Sequence, residues 1–160
     1  MKVLLAHPGT QYAHRLACQR HRHELLLKFV TGIGFASGDP LLRILSRSIK
    51  QKLSNRILDC SIPSSLVKSI PLPEIKSLRE LSRGVDAEDS LFRRNRSFQE
   101  KISQKLLDQS DVTIGFDTSS WIMMDRSNKP VVLDQSIAHP EEKKSVFASL
   151  RSLYPSWSED

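Results

Sequence analysis

Three short apolar runs constrain this chain more than anything else in it: KVLLAH at Lys2–His7, DVTIGFD at Asp111–Asp117 and PVVLDQ at Pro130–Gln135. Each is too short for a buried helix and stops at a breaker or a polar cluster, which is how a strand buried on both faces reads. Helical periodicity fills the spaces between them. From Gln11 to about His23, Tyr12 and Leu16 share a stripe, and Thr10 is placed to cap that helix. LLLKFV at Leu25–Val30 reads as a second strand, and Leu66–Ile70 as a further one before Pro71 and Pro73. A long helical pattern runs from Asp86 to about Gln109, with acidic residues in its first turn where the helix dipole favours them. A short helix separates the last two strands, and Pro140 opens a closing helix over Glu141 to about Leu153. Strand and helix therefore alternate five times. That order predicts a three-layer α/β/α domain with a mainly parallel, Rossmann-like sheet.

The length of 160 residues suits one domain spanning 1–160. Apolar residues make up 39% and charged ones 26%, a globular balance that excludes disorder. No apolar run reaches the roughly 20 residues of a spanning helix, and Met1–Ala6 is too short for a secretory core, so a cytoplasmic location is expected. Cys18 and Cys60 are too few for a disulfide framework and form no CxxC; a buried thiol is the expectation for each.

Charge divides the chain. Residues 1–110 carry 19 basic and 10 acidic side chains, net +9, whereas 111–160 carry 5 and 8, net −3. An anionic partner on one face is the natural reading. Nucleic acid is disfavoured because aromatics are only 6% and do not alternate with the basic residues. Leu41–Leu58 contains no acid between its ends and places Leu41, Leu42, Leu45, Ile49 and Leu53 opposite Arg43, Arg47 and Lys50. Such a basic amphipathic helix either covers the sheet or lies on an anionic membrane at its inner face. Arg93, Arg94 and Arg96 read as a solvated face.

Ligands of open α/β sheets bind beyond the carboxyl ends of the strands. Those ends are His7-Pro8-Gly9-Thr10, Thr31-Gly32-Ile33-Gly34, Asp117-Thr118-Ser119-Ser120 and Asp134-Gln135-Ser136. Gly9 either lets a phosphate or sugar approach the backbone or serves as a turn glycine. Gly32-x-Gly34-x-x-x-Gly38 has the wrong spacing for a dinucleotide loop and reads as a flexible loop. His139, just past the last strand, is open to roles as base, acid, sugar hydrogen-bond donor or turn anchor. His21 and His23 point apart on a helix, so no metal site is expected.

DVTIGFDTSSW, NKPVVLDQSIAHP and a helix ending LYPSW together resemble the N-terminal domain of GT-B type, family-four glycosyltransferases. The opening KVLLAHPGT-x-x-AHRLA resembles that family's first strand, glycine loop and first helix. The resemblance implies one half of a two-domain architecture that transfers a sugar from a nucleotide-sugar to an acceptor. It places Gly9 and Thr10 near the donor phosphates, and Asp117, Thr118, Ser119, Asp134, Gln135 and His139 on the acceptor side. It also implies a sugar or lipid-linked acceptor, no cofactor beyond the nucleotide-sugar donor, and no assignable catalytic residue. The family's paired-glutamate motif is absent; Glu80 and Glu88 match its spacing by chance. The chain ends at Glu159-Asp160, about where a linker to a donor domain would begin. The resemblance thus implies a half that is incompetent without a donor-domain chain. The alternative is a stand-alone Rossmann-like module that binds a ligand or partner without catalysis.

Overall fold

Every side chain of Val3–His7, strand β1, is buried, as a strand covered on both faces requires. The computed structural model describes residues 1–9, 12–58, 62–135 and 140–155. Four more strands join β1: β2 at Leu26–Thr31, β3 at Val67–Ser69, β4 at Val112–Phe116 and β5 at Val131–Asp134. All pairs are parallel, and the order across the sheet is β3-β2-β1-β4-β5.

Eight helices connect or follow the strands among the described residues. They are α1 (Ala13–Arg22), α2 (Pro40–Ile44), α3 (Arg47–Lys52), α4 (Pro71–Leu81), α5 (Ala87–Glu100), α6 (Gln104–Gln109), α7 (Trp121–Arg126) and α8 (Pro140–Leu153). The sheet grows one way from β1 to β3 and the other way from β1 to β5. Right-handed crossovers therefore put the two sets of helices on opposite faces. On one face Val3, Leu5 and Phe29 pack with Ala13 and Ala17 of α1 and with Leu58 and Ile62. On the other, Leu4, Ala6 and Val30 pack with Phe98, Ile102, Leu106, Leu107 and Met123. The alternation along β1 is the period-two signature of a strand dividing two cores. The expected three-layer, Rossmann-like α/β fold is the one observed.

Three local expectations change. The stretch Leu41–Leu58 is not one amphipathic helix. Leu45 is extended (ψ 140°), and the Ser46 hydroxyl accepts from the Ile49 amide at 3.4 Å, which starts a new helix, α3. A 3-10 turn at Ser54–Arg56 follows. The long helix over Asp86–Gln109 divides as well. Asp86 caps α5, its carboxylate accepting from the Asp89 amide at 3.0 Å. Arg126 of α7 then donates to the carbonyls of Gln99 (3.3 Å) and Ile102 (2.9 Å), satisfying the end of α5 before α6 begins. Finally, Cys18 is not a buried thiol: it is half-buried and disulfide-bonded. Pairing depends on a Cα separation that no sequence displays. Cys60 lies outside the described residues.

Helix α4 follows β3 directly, with Pro71 at its start, where the missing N–H costs nothing. It runs antiparallel to α5: Glu74 meets Arg94, Ser77 meets Ser90, and Glu80 meets Ser90 and Arg93. At the opposite edge Val132 and Leu133 of β5 remain exposed, and so do Val146 and Leu153 of α8. Among the described residues no helix is long and apolar enough to cross a membrane.

Candidate functional site

The sheet's direction of growth reverses between β1 and β4, and the loops leaving these two neighbours must separate there. The crevice this creates is the general ligand position of open α/β sheets. A cleft of about 270 Å³ occupies it, lined by His7-Pro8-Gly9 after β1 and Asp117-Thr118-Ser119 after β4. Arg56, Glu74, Arg94 and Asn95 complete its wall.

Electrostatics centre on Glu74, which is only 4% exposed. One carboxylate oxygen accepts from Arg56 Nη2 at 2.8 Å, and the other lies 3.8 Å from Arg94 Nη1. Two guanidinium groups thus share one buried carboxylate. Arg56 Nη1 and Glu74 Oε2 are both buried and have no hydrogen-bond partner among the described residues. Burial lowers the Arg94 pKa, and Arg56 acts in the same sense while Glu74 opposes both. Arginine stays charged throughout the accessible pH range nonetheless.

A chain of polar contacts then crosses the cleft. Arg94 forks onto Asn95 Oδ1 through Nε (3.0 Å) and Nη2 (2.9 Å), and Asn95 Nδ2 donates to the Thr118 carbonyl at 2.9 Å. Thr118 has φ +62°, a left-handed conformation that strains a β-branched residue. Such strain persists only where neighbours hold it, and it concentrates at functional sites. Gln99, one turn along α5, accepts from the Ile122 amide at 2.8 Å and so fixes the start of α7.

His7 closes the floor, its ring edge-on to Phe116 at 4.8 Å. Nδ1 lies 3.1 Å from the Gly9 nitrogen and 3.0 Å from the Gly9 oxygen. The neutral ring with its proton on Nε2 accepts from the Gly9 amide; protonated, it donates to the Gly9 carbonyl. Burial lowers its pKa, and the opposing pull of the Gly9 carbonyl, Asp117 and Glu74 does not reverse this. Gly32 packs beneath, donating to the Pro8 carbonyl at 3.2 Å. A Cβ there would meet that oxygen at 2.3 Å, so the Gly32 loop is closely packed rather than loose.

Of the residues singled out in the sequence, Gly9, Asp117, Thr118 and Ser119 line the cleft together. Asp134 stands at the end of β5, where its carboxylate accepts from the Tyr12 hydroxyl at 2.7 Å. Gln135 is exposed beside it. Thr10 and His139 lie outside the described residues; the residue at the start of α1 that takes the cap position is Tyr12, without a side-chain cap. Sequence reasoning missed Arg56, Glu74 and Asn95 and read Arg94 as solvated. One signal was available. Asn95 and Gln99 fall on the same helical stripe as Phe98 and Ile102, and polar residues on a core stripe ask for buried partners. Among the described residues no three His, Cys, Asp or Glu side chains gather as a metal cluster.

The fold is that of a Rossmann-like α/β domain with a parallel five-stranded sheet, an architecture consistent with nucleotide or ligand binding in general. Comparison with known proteins finds no matching family model, no matching curated protein and no matching solved structure.

Proposed function

We propose that this domain is a binding module whose switch-point cleft takes a small ligand through an anionic, oxygen-rich group. The observation that carries this reading is the pair Arg56 and Arg94, brought to the cleft wall around the single buried carboxylate of Glu74. Guanidinium groups bind phosphoryl and carboxylate oxygens through paired, charge-assisted hydrogen bonds, and burial strengthens them. Asp117, Thr118 and Ser119 stand across the cleft as candidate contacts to ligand hydroxyls, and Gly9 offers close approach to the backbone. Catalysis is no part of this proposal. Thermal denaturation in inorganic phosphate and in malonate tests it. Stabilisation that grows with ligand concentration supports the reading, since a ligand at 100 times its Kd adds about 2.7 kcal/mol. No shift with either anion at tens of millimolar, ionic strength held constant, contradicts it.

A second reading keeps the resemblance to an acceptor-side glycosyltransferase half that works with a donor-binding domain. Apolar exposure along the edge strand β5, at Val132 on one face and Leu133 on the other, favours it. On that reading Asp134, Gln135 and His139 belong to the acceptor side. Sugar transfer that appears only when a donor-binding domain is supplied in trans tests it; turnover by the chain alone contradicts the dependence.

A further inference from the structure

Close in the chain to residues that line the cleft stands an aromatic step that the anion reading does not use. Trp121 and Phe92 stack nearly parallel, with planes 8° apart and ring centroids 5.5 Å apart. Trp121 remains 37% exposed and Phe92 54% exposed. Large aromatics contribute most when they are buried, so a stacked pair left open to solvent is a surface that lacks its third layer.

Its position relative to the cleft follows from the chain. Trp121 comes two residues after Ser119, which lines the cleft, and begins α7. Phe92 lies one helical turn before Asn95, also a lining residue, on the same helix as Arg94. The Asn95–Thr118 and Gln99–Ile122 hydrogen bonds clamp α5 to the loop and helix that carry Trp121. The aromatic pair and Arg94 are thus carried by α5 and the segment clamped to it, with Arg56 reaching the same cleft from the 3-10 turn Ser54–Arg56.

We infer that the ligand of this cleft joins an anionic group to a flat aromatic ring, as a nucleoside monophosphate does, with the ring stacked on the Trp121/Phe92 step. This rests on the anion-binding reading and deepens it. The phosphoryl group meets Arg94 and Arg56, the sugar hydroxyls pass Thr118 and Asp117, and the ring reaches Trp121. Recognition of the ring is by face, so it distinguishes ring from no ring better than one base from another.

The test uses three probes on the full chain: AMP, ribose 5-phosphate and inorganic phosphate. The protein has two tryptophans, so Trp157→Phe leaves Trp121 as the single indole reporter. AMP is expected to quench Trp121 fluorescence and to bind about tenfold or more tighter than ribose 5-phosphate, a typical gain for stacking one base. Trp121→Leu should remove that advantage while leaving phosphate affinity unchanged, and Trp121→Phe should restore most of it. Equal affinity for AMP and ribose 5-phosphate, with phosphate still bound, overturns the ring and leaves the anion cleft standing. Failure of all three probes overturns both. Selective loss of AMP binding in Trp121→Leu with an unchanged melting temperature would separate ring recognition from damage to the fold.

Discussion

Asn95 and Thr118 are joined across the cleft by a 2.9 Å hydrogen bond from the Asn95 amide to the Thr118 carbonyl, and Thr118 sits there at φ +62°. The bond and the strain belong together. A left-handed β-branched residue costs about 1–3 kcal/mol, and a side chain presented from another helix is what holds it in place.

Replacing Asn95 with Ala should therefore cost about 0.5–1.5 kcal/mol, the net worth of the part-buried hydrogen bond to the Thr118 carbonyl. Thr118→Gly should stay within about 1 kcal/mol of the parent, since relief of strain offsets the added freedom of the unfolded chain. Urea unfolding of both variants checks the contrast. Equal losses would mean that the loop conformation does not depend on Asn95.

Glu74→Gln separates stability from binding. It leaves Arg56 and Arg94 side by side without a counter-charge, and breaking a buried ion pair in this way costs about 3 kcal/mol. The same change removes the carboxylate that competes with an anionic ligand. Chemical denaturation should show the loss in the absence of anions, and added phosphate should recover more stability in the variant than in the parent.

Much of the fold was legible in the sequence and much of the cleft was not, for one physical reason. Strands such as Val3–His7 and Val112–Phe116 announce themselves because burial on both faces demands an unbroken apolar run. The loops that follow them were legible too, since topology alone puts Gly9 and Asp117–Ser119 at the carboxyl edge. Arg56, Glu74 and Arg94 come from a 3-10 turn and two helices, and only tertiary packing brings them together. An arginine in the run Arg93-Arg94 looks solvated until its partner is known; Arg93 is indeed half exposed, while Arg94 turns inward. Helix lengths failed for a similar reason: the stop at the end of α5 is supplied by Arg126, 24 residues beyond Ile102.

Gly32→Ala should destabilise the protein by about 1–3 kcal/mol, the usual cost of overpacking. The new methyl would meet the Pro8 carbonyl at 2.3 Å and Glu74 Oε2 at 2.9 Å, one of them backbone that cannot swing aside. Thermal unfolding checks this, and a neutral result would show that the β1 and β2 loops are free to separate.

Acidification tests the buried His7. Its folded-state pKa is lowered from the ordinary value of about 6.5, so the unfolded chain binds the proton more readily. The contribution is fully present above about pH 6.5 and is lost as the pH falls below that value toward the folded pKa. Glu80, whose pKa is lowered by its hydrogen bonds to Arg93 and Ser90, acts in the same direction but only below about pH 4.5. Urea midpoints between pH 7.5 and 5.5 should therefore decline, and His7→Gln should flatten that decline. A parallel decline in the variant would assign the effect to another group.

The central claim is that Arg56 and Arg94 hold an anionic group in the cleft between β1 and β4. Isothermal titration of inorganic phosphate into the parent protein, Arg94→Gln and Glu74→Gln tests it most directly. The account requires saturable one-to-one binding to the parent, at least tenfold weaker binding to Arg94→Gln, a difference of about 1.4 kcal/mol, and tighter binding to Glu74→Gln. Equal affinities in all three folded proteins, or no binding to any of them, would contradict it.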